Sequence, residues 1–188
     1  MEIRYPEIGI CGLSCQLCPK YHTDSKSRCE GCKSEERMNL GCPFITCAIK
    51  KKGIEFCWEC KESRNCAKWG KHREAGRKFD SFKCYQKLEE DITFIQEKGF
   101  EEYKRLQDIR EQILKEMLDN YNEGRSKSYY CIAVTVMEIE ELREALIKAK
   151  KDSSGLDIKN KAKILHSLLD EIAKQEGYYL GLRKKEGF

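Results

Sequence analysis

Apolar residues in the second half of the chain recur at steps of three and four residues. The longest series runs from Tyr103 through Ile113 and Met117 to Tyr121, with Gly124 shortly after it. Because an α-helix has 3.6 residues per turn, this spacing places the apolar side chains on one face of a helix. The pattern therefore predicts a long amphipathic helix that ends before Gly124.

Shorter series of the same kind predict further helices on both sides of it. Gly99 is expected to end a preceding helix, and residues 142–149 carry another apolar stripe. Asp157 has a side chain suited to the N-cap of a last helix, and Gly177 is suited to its end. Together these segments predict antiparallel helical hairpins that pack into a bundle.

Residues 129–136 are ambiguous because they are rich in strand-forming side chains. We predict a helix there, since no second strand lies nearby to pair with them. The predicted fold class is therefore mostly α. Residues 1–78 are expected to form a small irregular cysteine-rich metal-binding module, and residues 79–188 an antiparallel helical bundle.

Residues 1–78 show no sustained period of either 2 or 3.6, and they contain all three prolines of the chain. Their apolar residues are scattered among lysine, glutamate and glycine, so we expect an apolar core to be nearly absent there. So little burial would not offset the entropy of ordering the segment. Metal binding would, because structural zinc contributes roughly 10–16 kcal/mol of folding free energy.

Cysteine is the residue type that suggests such a metal. The chain has 12 cysteines, and ten of them lie in its first 66 residues: Cys11, Cys15, Cys18, Cys29, Cys32, Cys42, Cys47, Cys57, Cys60 and Cys66. Cys84 and Cys131 stand alone among aromatic and aliphatic residues, which is typical of inert core thiols. The N-terminal residues are charged and include no apolar stretch long enough for a signal peptide, so we expect a cytoplasmic protein with reduced thiols.

Three pairs of these cysteines have the spacing C-x2-C, which lets two thiolates approach one ion while backbone N–H groups donate to the sulfurs. Zinc takes four such ligands in a tetrahedron. We therefore expect two zinc ions, one bound by Cys15, Cys18, Cys29 and Cys32, and the other by Cys47, Cys57, Cys60 and Cys66. Cys11 and Cys42 would be spare, bridging or exchangeable. The lysines that follow two of the pairs, Lys33 and Lys61, are expected to offset thiolate charge.

The motifs CGLSCQLCP, CEGC, CPFITC and GIEFCWEC, followed by Cys66, resemble a prokaryotic family known as domain of unknown function 3795. The resemblance covers about residues 9–70 and all ten clustered cysteines, and a looser likeness extends to GRSKSYYCIAVTVMEIEELREAL. It implies a cysteine-rich metal-binding domain, but it implies no particular reaction.

Iron–sulfur clusters are the alternative to zinc. The steps Cys18-Pro19 and Cys42-Pro43 are similar to the Cys-Pro step of bacterial ferredoxins. The alternative function is thus an iron–sulfur protein, with [4Fe–4S] clusters, in electron transfer or cluster-dependent chemistry. The main prediction is a zinc-binding module with a structural or interaction role and without catalytic residues.

Net charge bears on the choice of partner. The formal charge is +4, with +6 in residues 1–84 and −2 in residues 85–188. A zinc ion with four thiolates carries about −2, so two such sites would cancel most of the basic excess. We therefore predict a protein partner, regard nucleic acid as a weaker possibility, and expect no membrane association because no apolar run is long enough.

Overall fold

This computed structural model describes residues 2–39, 42–78 and 86–181. The cysteine-rich part contains only short elements. Its helices are α1 (Glu35–Asn39), α2 (Pro43–Ile45) and α3 (Ala67–Lys78), and 3₁₀ turns occur at Cys15–Leu17, Cys57–Glu59 and Ser63–Asn65. Helix α2 continues directly into a π-helical segment, Thr46–Lys52, which ends at Gly53 with a positive φ of 63°.

The second part is helical as predicted. Its helices are α4 (Leu88–Lys98), α5 (Phe100–Tyr121), α6 (Lys127–Val136), α7 (Ile139–Asp152) and α8 (Ile158–Glu176). Gly99 separates α4 from α5. The Asp157 carboxylate accepts hydrogen bonds from two backbone N–H groups of the first turn of α8, and Gly177 ends that helix with a φ of 74°.

The core of the bundle lies between α5, α6, α7 and α8. Leu114, Met117, Leu142, Leu165 and Leu169 are fully buried there. The described residues contain no β-strand, and an isolated bridge joins Ile8 and Ser14. Among these same residues, no helix combines the length and the apolar character that crossing a bilayer requires.

Helix α6 covers the segment whose strand-like composition made it ambiguous, and the helical prediction is confirmed. Its side chains are buried on nearly all sides, which explains why apolar residues surround the whole helix rather than forming one stripe. Arg110 of α5 fixes its C-terminal end: one guanidinium nitrogen donates to the carbonyl oxygens of Val134 and Met137, both at 2.6 Å. A cation is favourable at this end of a helix dipole.

The expectation that residues 1–78 lack an apolar core is wrong. Ile8 and Phe56 are buried together with Ile95 and Tyr103 of the helical part, and Trp69 is buried against α4. The rings in this region stack: Phe56 lies 4.5 Å from Trp58 and 4.6 Å from Phe100 between ring centroids, and Phe100 lies 4.2 Å from Tyr5. These apolar residues are scattered along the chain but collect against helices that follow later.

Polar contacts also join the two parts. The Tyr103 hydroxyl donates to the Gly12 carbonyl oxygen at 3.1 Å, and the Gln16 amide nitrogen lies 3.3 Å from a carboxylate oxygen of Asp108 and of Glu111. Leu17, between two predicted ligands, belongs to the core of the bundle itself. The predicted boundary after residue 78 adjoins residues 79–85, which lie outside the described residues, and the division into two domains stays a prediction.

Candidate metal centre

Two of the C-x2-C pairs form the same tight turn. Residues Cys15–Leu17 make a 3₁₀ turn, and the Cys18 N–H donates to the Cys15 carbonyl oxygen at 3.1 Å. Residues Cys57–Glu59 repeat this geometry, with the Cys60 N–H donating to the Cys57 carbonyl oxygen at 3.3 Å. In both cases the turn brings the two cysteines of a pair to the same side of the backbone.

The third pair, Cys29 and Cys32, depends on the glycine between them. Gly31 has a φ of 111°, and a Cβ atom placed on it would lie 3.3 Å from the Pro6 carbonyl oxygen and 3.8 Å from the Cys15 sulfur. The backbone therefore needs glycine both for its conformation and for its close approach. This approach lets the Cys32 N–H donate to the Cys15 sulfur at 3.4 Å.

One predicted quartet lines a cavity that we call the inner cavity. It has a volume of about 60 Å³ and lies between the cysteine-bearing loops and helices α4, α5 and α6. Its cysteines are Cys11, Cys15, Cys18, Cys29, Cys32 and Cys131. Leu13, Tyr21 and Ile132 supply apolar parts of its wall, and the Ser14 hydroxyl oxygen at its edge is buried without a hydrogen-bond partner.

The other quartet lines a second, wider cavity of about 480 Å³, which we call the outer cavity. Its cysteines are Cys47, Cys57, Cys60 and Cys66. Cys47 comes from the π-helical segment, and Cys66 directly precedes α3. Trp69, of which only 3% is exposed, forms one wall of this cavity. Trp69 thus shields one side of this cavity.

The thiols are crowded in both cavities. The pKa of Cys15 is raised, first by its hydrogen bond with Cys32 and then by burial and by the negative charge of neighbouring thiolates. Burial also raises the pKa of Cys18. In the outer cavity, burial together with the charges of Cys11 and Cys47 raises the pKa of Cys57 to about 12. Ionising these thiols together therefore requires a compensating cation.

Cys11 lies between the two groups. It lines the inner cavity, and it is also packed with Cys57 and Cys66 in one cluster. Its charge acts on Cys15 of one quartet and on Cys57 of the other. Cys42 lines neither of these two cavities and packs instead beside Ile10, Ile45 and Ala48.

Two cations beside the thiols were not expected from the sequence. Lys52 donates to the Cys60 sulfur at 3.0 Å, and this hydrogen bond lowers the pKa of the Cys60 thiol. Arg37 forms a hydrogen bond with Cys29 that raises the pKa of the guanidinium. Each cation lies in a different segment from the cysteine that it contacts. Adjacency in the sequence therefore does not indicate either contact.

Lys33, which was expected to offset thiolate charge, forms a buried ion pair with Glu55 and also interacts with the charge of Cys15. Its ammonium nitrogen lies 2.7 Å from a carboxylate oxygen of Glu55 and 3.8 Å from the centre of the Phe56 ring. Burial acts to raise the pKa of Glu55, but hydrogen bonds from Lys33 and from the Tyr5 N–H outweigh it, and the pKa is lowered. Lys61 is exposed.

Donor chemistry and placement suit a thiophilic metal, because each cavity brings together at least four cysteines and soft thiolates select zinc or iron–sulfur clusters. All cysteines in the described residues are free thiols. Within residues 2–39, 42–78 and 86–181, no three or more His, Cys, Asp or Glu side chains already form a group that could hold a metal ion. The ligand sets therefore stay predictions. Cys84 lies outside the described residues.

Comparison with known protein families finds a match in the cysteine-rich part. Residues 7–71 match the family model described as Protein of unknown function (DUF3795). No curated protein and no solved structure gives a match. The match ends at residue 71, so the looser likeness over residues 124–146 stays a prediction. The resemblance inferred from the cysteine motifs is confirmed, because residues 7–71 match the model of that same family.

Proposed function

We propose that this protein is a thiolate metal-binding protein with two zinc sites that organise its cysteine-rich part. The inner site uses Cys15, Cys18, Cys29 and Cys32, and the outer site uses Cys47, Cys57, Cys60 and Cys66. The observation that carries the proposal is that each quartet lines a cavity of its own. Four sulfurs complete a tetrahedral zinc site and leave no open position for substrate, so the role is structural rather than catalytic.

The electrostatics of the thiols support a bound cation. The pKa values of Cys15, Cys18 and Cys57 are raised because their thiolates would be buried next to one another. Zinc removes this penalty, since a coordinating thiol is deprotonated by the metal. Arg37 and Lys52 would then balance part of the remaining negative charge. The proposal requires reduced thiols, as in the cytoplasm.

A protein partner fits this role better than nucleic acid. Ile147 of α7 is 72% exposed, and Leu156 and Ile158 are exposed at the start of α8, which is apolar surface that a protein could cover. In contrast, Lys33 and Lys52 are already paired with carboxylates and thiols and contribute little to a phosphate-binding surface.

An iron–sulfur cluster in the inner cavity is the second candidate, and the size of the cavity favours it. A buried water needs about 10–15 Å³ on the same measure, whereas the inner cavity has about 60 Å³. A single zinc ion bonded to sulfurs at about 2.3 Å would not need such space. The mostly apolar wall would also protect a cluster from water.

Metal analysis on protein purified without oxygen tests both candidates. Two zinc ions per chain and no visible absorption would support the zinc sites. Iron and sulfide in equal amounts, with a brown colour, would replace zinc by the cluster. Cys15→Ser and Cys60→Ser should each remove metal from one site only, while Ser27→Ala at an exposed position serves as the control. A chain purified under these conditions with no bound metal, and taking up none, would refute the proposal.

A further inference from the structure

Helix α6 presents one face to the inner cavity. Ser128, Cys131, Ile132 and Thr135 line this cavity, and their spacing of three, four and seven residues places them on the same side of the helix. Tyr130 and Val134 are fully buried in the bundle core and lie on other sides of the helix. Cys131 therefore belongs to the wall of the inner cavity as well as to the core.

Five cysteines from the loops form the opposite wall. They are Cys11, Cys15, Cys18, Cys29 and Cys32. Only 2% of Cys131 is exposed, and it lines the same cavity as these five cysteines. A thiol that merely filled the core would have aliphatic neighbours on every side.

The two walls are held in a fixed relation. Leu17, in the turn between Cys15 and Cys18, is buried in the core that also contains α6. The Lys127 ammonium, at the start of α6, donates to the His22 carbonyl oxygen at 3.1 Å. Arg110 holds the other end of α6 through its carbonyl oxygens. A ligand on a rigid helix is positioned before the metal arrives, which lowers the entropy cost of binding.

We propose that Cys131 is a metal ligand contributed by the helical bundle, so that the inner site joins both parts of the chain. This inference rests on the proposed metal binding. On coordination the S–H bond of Cys131 breaks, a sulfur–metal bond forms, and the proton passes to water. The assignment replaces the interpretation of Cys131 as an inert core thiol.

The number of thiols is consistent with a sixth ligand. One tetrahedral zinc uses four sulfurs, whereas two tetrahedral ions that share two bridging sulfurs use six. With Cys131 the inner cavity has six cysteines, and its volume of about 60 Å³ exceeds the need of one ion. With a pair of bridged ions in the inner cavity, we expect three metal ions per chain, whereas the four-sulfur inner site alone would give two.

The direct test uses the unmodified full chain loaded with ¹¹³Cd, which replaces zinc at thiolate sites. A through-bond correlation between ¹¹³Cd and the Hβ protons of Cys131 is expected, alongside correlations for the loop cysteines. Correlations for the loop cysteines without one for Cys131 would overturn the inference and leave the proposed function intact. A chain that binds no cadmium or zinc would instead overturn the proposed function, and the inference with it.

Variants provide a second, independent readout. Cys131→Ser keeps the side-chain volume, and Val134→Ala is the matched control because Val134 is a buried residue of the same helix that does not line the inner cavity. Loss of a ligand should weaken metal binding at least as much as loss of a supporting contact does, which is about 10–100-fold. We expect this loss in Cys131→Ser only. When the variants are loaded with Co²⁺ in place of zinc, Cys131→Ser alone should also show a weaker sulfur-to-cobalt charge-transfer band. Equal affinity and equal bands in both variants would contradict the inference.

Discussion

The buried ion pair between Lys33 and Glu55 gives the sharpest test of how the cysteine-rich part is stabilised. The side chains are 0% and 3% exposed, and their charged atoms lie 2.7 Å apart. Glu55 also accepts hydrogen bonds from the N–H groups of Arg4 and Tyr5, so it links the N-terminal segment to the segment before Cys57. The substitution Lys33→Met keeps the apolar stem and removes the charge.

The expected cost follows from leaving the Glu55 carboxylate buried with only the exposed Arg4 guanidinium, 3.5 Å away, as a cation. Removing one partner of a buried pair destabilises a protein by about 3–5 kcal/mol. For a chain of this length, each kcal/mol lowers the melting temperature by about 2–4 °C, so the expected shift is about 6–20 °C. The matched control is Lys104→Met, which breaks the exposed pair with Asp108 and should cost less than about 1 kcal/mol.

Urea unfolding of the metal-loaded protein provides the measurement. Both tryptophans of the chain, Trp58 and Trp69, lie in the cysteine-rich part, so their fluorescence reports on it directly. Metal content must be determined for each variant, because Lys33 follows a predicted ligand. If Lys33→Met retained its metal and lost no more stability than Lys104→Met, the assignment of a stabilising buried pair would be wrong.

Three further predictions concern separate regions. Burial raises the pKa of Asp91 from 3.8 to about 7, so between these pH values the folded protein binds a proton that the unfolded chain has released. The free energy of unfolding should therefore fall as pH rises from about 4 to about 7. The urea midpoint should depend less on pH over this range in Asp91→Asn. In metal-free protein, Lys52→Ala should raise the pKa of the Cys60 thiol and slow its alkylation at neutral pH, as followed by peptide mass spectrometry; an unchanged rate would argue against the contact. Asp157→Ala removes the N-cap of α8 and should lower the free energy of unfolding by about 1 kcal/mol, whereas Asp157→Asn should restore most of it.

The helices were predictable because their signals are local. A stripe at helical spacing identified α5, and Asp157 and Gly177 marked the ends of α8. The apolar clusters of the cysteine-rich part were not predictable in this way. Ile8 and Phe56 meet Tyr103 from positions far apart in the sequence, and a pattern within a short window carries no information about such contacts.

The candidate site shows the same division. The C-x2-C spacing fixes the turns of two pairs, because each turn involves only neighbouring residues. Adjacency in sequence did not indicate two of the cations that contact thiols. Lys33 points to Glu55, while Arg37 and Lys52 reach thiols in other turns. The sequence did not indicate the proposed ligand role of Cys131, because nothing in its own segment shows which cavity its helix faces.

Leu17 inserts into the interior of the bundle from a turn flanked by cysteines, and Phe56 packs on rings from α5. An expression fragment that ended after α3 would expose both side chains to water, and a fragment that began at α4 would leave matching gaps in its own interior. Deleting either half should therefore give insoluble or poorly folded material. Mutations in the cysteine loops should likewise be felt throughout the helices, as a change in one shared melting transition.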